Sequence, residues 1–81
     1  MSLGAYQPGL GRLLLRARLR AGITQRELAN LAGVASTAMI SRYETGARAP
    51  SIDTLKALSD VLKVRTSDLL FRQGNYEESN N

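Results

Sequence analysis

The chain contains no cysteine, no histidine and no tryptophan, and only 2 prolines. Without cysteine there is no disulfide, no thiol nucleophile and no thiolate ligand. Without histidine there is no imidazole base, so His-based triads and structural zinc on Cys or His are excluded together. A metal site would rest on carboxylates alone, and the 7 Asp and Glu are scattered along the chain. Neither a metal nor another cofactor is expected, and an enzyme is a poor fit. No apolar run approaches the ~20 residues of a membrane helix; Leu13–Leu15 and Leu69–Phe71 are among the longest. The first nine residues carry Gly4, Pro8 and Gly9 and lack the apolar stretch of a signal peptide.

What is present suits one small domain: 81 residues, 43% of them hydrophobic, enough for a single core and too many for a disordered tail. Charge is uneven. Residues 1–50 hold seven Arg (Arg12, Arg16, Arg18, Arg20, Arg26, Arg42, Arg48) against Glu27 and Glu44, whereas the remainder holds four cations against five acids. Arginine, whose planar fork suits phosphates and guanine edges, makes up nine of the 11 cations. A basic N-terminal part favours a polyanionic partner.

The apolar spacing is helical throughout, so an all-α fold of five short helices is expected. Leu10, Leu13, Leu14, Ala17 and Ala21 define a first helix, closed by Gly22 as a left-handed C-terminal residue. Thr24-Gln25-Arg26-Glu27 reads as a capping box opening a second helix. Leu28, Ala29, Leu31 and Ala32 would form its apolar face, and Gly33 would end it. A third helix is expected over about Thr37–Glu44, with Ser36 as cap and Ile40 and Tyr43 turned inward. Ser51 would cap a fourth, with Ile52, Leu55, Leu58 and Leu62 inward, and Thr66 a short fifth. Residues 1–9 are read as an N-terminal arm whose first residues are also compatible with an expression remnant. Residues 10–72 form the domain, and 73–81 a polar, mobile tail.

Two short helices joined by a glycine turn, the second followed by an acid and a further glycine, form the sharpest feature. With Gln25, Ala29, Gly33, Val34, Ile40, Tyr43, Glu44, Gly46, Pro50 and Ser51, the chain resembles the lambda-repressor-like, or XRE-type, helix-turn-helix family of phage repressors and Cro. The resemblance spans about Leu10–Phe71. It implies a compact five-helix DNA-binding domain whose third helix enters the major groove of double-stranded DNA. One departure is visible: the family spaces its turn glycine and buried aliphatic by six residues, whereas Gly33 and Ile40 are seven apart. The extra residue falls either in the turn, near Ala35 or Ser36, or in the helix, where Ser36 or Met39 would face DNA.

Carried onto this sequence, the resemblance implies that Thr37, Ala38, Ser41 and Arg42 face the bases, with Arg42 suited to a bidentate guanine contact. Gln25 matches the glutamine that touches a phosphate or braces a base-reading side chain. Thr24, at the same helix start, suits a phosphate, and Arg26 adds charge beside it. Thr45 and Arg48 resemble backbone-contacting positions. Arg18 and Glu44 match a salt bridge that holds the third helix on the first. Arg12, Arg16 and Arg20 form a stripe on the first helix, read as a solvated face or a contact to DNA backbone or an acidic partner.

The function expected on this basis is a sequence-specific transcriptional regulator, a small repressor acting as a homodimer on a palindromic operator in the cytoplasm. Leu70 and Phe71 are the candidate dimer surface. Within these residues no ligand-binding or self-cleaving second domain is expected. The alternative from another class is an antitoxin-like protein-interaction module, which keeps the fold, binds a protein partner and holds DNA weakly. Phage regulators, restriction controllers and antitoxins share this pattern, and the residues do not choose among them.

Overall fold

The computed structural model describes residues 9–73, with side chains through Leu69. Among the described residues the structure is all-helical: α1 (Gly9–Ala21), α2 (Gln25–Ala32), α3 (Thr37–Thr45), α4 (Ile52–Leu62) and α5 (Thr66–Gln73). None of these helices is long and apolar enough to cross a membrane.

Three helix ends share one device. Gly22, Gly33 and Lys63 adopt left-handed backbone with φ of 74°, 73° and 62°. The residue after each one donates its amide back into the helix: Ile23 to the Arg18 carbonyl, Val34 to Ala29 and Val64 to Ser59. Each of these donors is β-branched and apolar, and each is packed against the core. The turn therefore satisfies a terminal carbonyl and returns an apolar side chain to the interior in one step. Lys63 performs the glycine's task at some backbone cost, since a Cβ is disfavoured in this region.

The helix starts are closed by hydroxyls. The Thr24 hydroxyl accepts from the Glu27 amide at 3.0 Å, and the Glu27 carboxylate accepts from the Thr24 amide at 2.8 Å. Ser36 accepts from Met39 and Ser51 from Thr54 at 3.3 and 3.2 Å. Thr66 departs from expectation, because it is the first residue of α5 and not its cap. Its hydroxyl lies 2.6 Å from that of Ser59, whose single proton is spent on the Lys56 carbonyl at 2.8 Å. Thr66 is therefore the donor of this pair. The Arg65 carbonyl opens α5 by accepting from the Asp68 and Leu69 amides.

Leu14, Leu28, Ile40, Leu55, Leu58 and Leu69 are essentially inaccessible, and Leu10, Ala17, Ala29, Tyr43 and Leu62 complete the core. α1 packs on α3, α4 and α5, and α2 packs on α3 and α4. Two residues expected inside are outside: Leu31 is 63% exposed and Ile52 is 55% exposed. Both lie on short helices where Leu28 with Ala29, and Leu55 with Leu58, already fill the inward face. Ala21, at the last turn of α1, is exposed as well.

Candidate nucleic-acid interface

α2 and α3 are joined by Gly33 and three non-helical residues, Val34, Ala35 and Ser36. Ser36 has extended backbone (φ −151°, ψ 157°) and serves as the cap, so regular helix begins at Thr37. The seven-residue interval from Gly33 to Ile40 is thus taken up in the turn, leaving the phase of α3 undisturbed. Ile40 and Tyr43 are buried, Met39 and Ser41 are half-buried, and Thr37, Ala38, Arg42 and Thr45 are exposed. Ser36 is exposed too, with its oxygen engaged by the Met39 amide.

The Thr45 hydroxyl donates to the Arg42 carbonyl at 3.2 Å and accepts from the Ala47 amide at 3.4 Å. The Arg48 amide donates to the same carbonyl at 3.2 Å. The end of α3 and the loop carrying Arg48 are thereby tied together. The Arg42 guanidinium runs back along the helix, its Nη1 lying 3.8 Å from the Met39 Sδ.

Glu44 is the anchor of the arrangement. Its side chain is only 4% exposed and accepts from Arg18 side-on: Nε to Oε2 at 2.7 Å and Nη2 to Oε1 at 3.2 Å. Gln25 Nε2 adds a third bond to Oε1 at 2.9 Å. Arg18 Nη1 also donates to the Ile23 carbonyl at 3.0 Å. One carboxylate thus joins α1, the α1–α2 turn, α2 and α3. Gln25, expected at a phosphate or bracing a reader, spends one amide proton bracing Glu44.

This pairing shapes the electrostatics. Glu44 is the sole acid of α3, and its charge is turned inward and matched. Among the described residues Arg18–Glu44 is the one salt bridge, so Arg26, Arg42 and Arg48 stand exposed without a carboxylate partner. Arg12, Arg16 and Arg20 are exposed on α1; Arg12 and Arg16 flank a shallow groove with Gly9 and Leu13. The Leu70 and Phe71 side chains, candidates for a dimer surface, lie outside the described residues, as do residues 1–8 and 74–81.

One positioning residue escaped the sequence reading. A Cβ on buried Gly11 would lie 2.5 Å from the Glu44 carbonyl oxygen and 2.7 Å from that of Tyr43. α1 therefore touches the backbone of α3, and only a glycine permits it. The available signal was a glycine inside a helix, where it costs about 1 kcal/mol relative to alanine.

Two helices set across a glycine turn, with the second held by a buried carboxylate and presenting an arginine outward, define a helix-turn-helix protein. The chain belongs to the helix-turn-helix family, whose model matches residues 14–69. It is also 41% identical over 61 residues to the HTH-type transcriptional regulator ImmR of Bacillus subtilis (strain 168), over 75% of this chain and 47% of that protein. The chain spans about half the length of this curated relative.

Proposed function

We propose that this chain is a sequence-specific double-stranded DNA-binding transcriptional regulator, a small cytoplasmic repressor that sets α3 in the major groove. The observation that carries the reading is the charge polarity of α3: Glu44 is buried and paired, while Arg42 is exposed and has no carboxylate partner among the described residues. A helix about 10–12 Å across matches a groove about 12 Å wide. An unmatched carboxylate on α3 would repel phosphate; the Arg18 pairing removes that penalty.

In this reading Arg42 takes the O6 and N7 acceptors of a guanine, while Thr37, Ala38 and Ser41 border neighbouring base pairs. The start of α2 meets phosphate. Thr24 and Glu27 are occupied with capping, and the first-turn amides of Gln25 and Arg26 face out along the helix axis, where anions are favoured. The Arg26 and Arg48 side chains, with Ser36, supply further backbone contacts, and the Thr45 hydroxyl, whose proton goes to the Arg42 carbonyl, holds the loop that carries Arg48 in place. A single module makes few phosphate contacts, so a homodimer on a palindromic operator follows, with half-sites about 34–36 Å apart.

Selection of bound sequences from random duplex DNA, followed by titration of the winner at several salt concentrations, tests this. The expected result is an enriched palindrome and an affinity that falls steeply with salt, each neutralised phosphate contributing a slope of about −0.9. Absence of enrichment, with weak binding that vanishes near physiological salt, would contradict it and favour a protein-interaction module.

A further inference from the structure

We propose that Ala38 is a second base-reading residue, and that it selects a thymine through the C5 methyl group beside the guanine taken by Arg42. The proposal rests on the reading of α3 as the major-groove helix. At about 100° per residue, Ala38, Arg42 and Thr45 fall within a sector of about 60°, facing away from buried Ile40 and Tyr43. These three side chains thus occupy the centre of the outward face, with Thr37 and Ser41 at its margin.

Their chemistry differs sharply. The Thr45 hydroxyl is held by its own backbone, donating to the Arg42 carbonyl and accepting from Ala47. Arg42 carries charge and several donors. Ala38 offers a bare, exposed methyl group. Pressed against the N4 amino group of cytosine, the N6 amino group of adenine or the O6 of guanine, that methyl would desolvate a polar atom and return no hydrogen bond. The one apolar group on a major-groove base edge is the thymine C5 methyl.

The geometry brings the two contacts together. One turn of helix, from Ala38 to Arg42, advances about 6 Å, and base pairs are spaced about 3.4 Å apart, so the thymine lies within about two base pairs of the guanine. The contact of Arg42 Nη1 with Met39 Sδ at 3.8 Å draws the guanidinium back over the turn that carries Ala38. The guanine and the thymine are then close neighbours in each half-site.

The test uses the full chain and the duplex selected from random DNA, which should carry a thymine within two base pairs of the contacted guanine. Each thymine is replaced in turn by deoxyuridine, which lacks only the methyl group, and the guanine separately by 7-deazaguanine, which lacks N7. Wild type should lose about fourfold in affinity at one deoxyuridine, the burial value of a single methyl. Ala38→Gly should bind the thymine and uracil duplexes equally; its own cost to folding is common to both DNAs and cancels in the comparison. Ala38→Ser, which helices tolerate better than glycine, provides the second variant and should lessen the same difference.

Equal binding of every deoxyuridine duplex by wild type, alongside a loss on 7-deazaguanine, would overturn the role of Ala38 while leaving the Arg42 reading intact. Indifference to both replacements would overturn the major-groove reading itself. A uracil penalty that persists undiminished in Ala38→Gly would assign the methyl contact to another side chain and overturn the proposal.

Discussion

Replacing Glu44 with alanine removes the acceptor of three hydrogen bonds, two from Arg18 and one from Gln25. The Arg18 side chain, 11% exposed, would keep its bond to the Ile23 carbonyl and lose its counter-charge. Breaking one side of a buried pair costs about 3–5 kcal/mol, mostly because the remaining charge stays desolvated. The retained carbonyl bond points to the lower end, about 3 kcal/mol. For a domain of this size each kcal/mol shifts Tm by about 4–8 °C, so a fall of about 12–24 °C is expected. Total stability at this length is only about 4–12 kcal/mol, which makes the variant marginal at 37 °C.

Thermal and urea unfolding followed by circular dichroism will measure the loss. Burial limits ionic screening, so most of the difference should persist at 1 M salt, where the Debye length is about 3 Å. Changing Arg18 and Glu44 together to methionine removes both buried charges and should recover much of the stability, though not the link to Gln25. A Glu44→Ala variant within about 1 kcal/mol of wild type, the range of an exposed ion pair, would refute the assignment of Glu44 as anchor.

Other substitutions address other contacts. Gly11→Ala should destabilise by about 1–3 kcal/mol, because α1 must withdraw from the α3 backbone; urea unfolding reads this against the helix-propensity gain that alanine would otherwise bring. Lys63→Gly should raise stability by about 0.5–1 kcal/mol by relieving the left-handed backbone, visible as a higher urea midpoint. Thr24→Ala should cost about 0.5–2 kcal/mol through loss of the cap, whereas Ser36→Ala should cost a similar amount and also increase amide exchange at Met39.

Much of this architecture was legible because its signals are local. A hydroxyl followed three residues later by a carboxylate announces its own cap, and Gly22 and Gly33 announce left-handed ends. Apolar spacing gave less information on short helices. Leu31 and Ile52 fit the period, yet which side chains fill a core depends on how many neighbours compete for the space. Thr66 looked like a cap because hydroxyl residues open helices; its partner, Ser59, becomes visible only once α4 and α5 pack.

The site followed the same division. The outward side of α3 could be read from Ile40 and Tyr43, whose burial sets the helix phase. The seven-residue interval from Gly33 left two phases open, and the capping geometry of Ser36 resolves them in favour of a longer turn. Gln25 was placed at the right helix end, but its bond to Glu44 joins residues 19 apart in sequence, which no local pattern encodes. Gly11 gave only the weak signal of a glycine inside a helix, because its importance lies in the α3 backbone opposite it.

The central claim is that α3 reads DNA through Arg42, and the direct test is competition between the selected duplex and single-base variants for wild type and Arg42→Ala. Wild type should discriminate against loss of the contacted guanine by about 1–3 kcal/mol. Arg42→Ala should retain the wild-type Tm and bind both duplexes equally. An Arg42→Ala variant that keeps the full discrimination at every guanine of the site would contradict the claim.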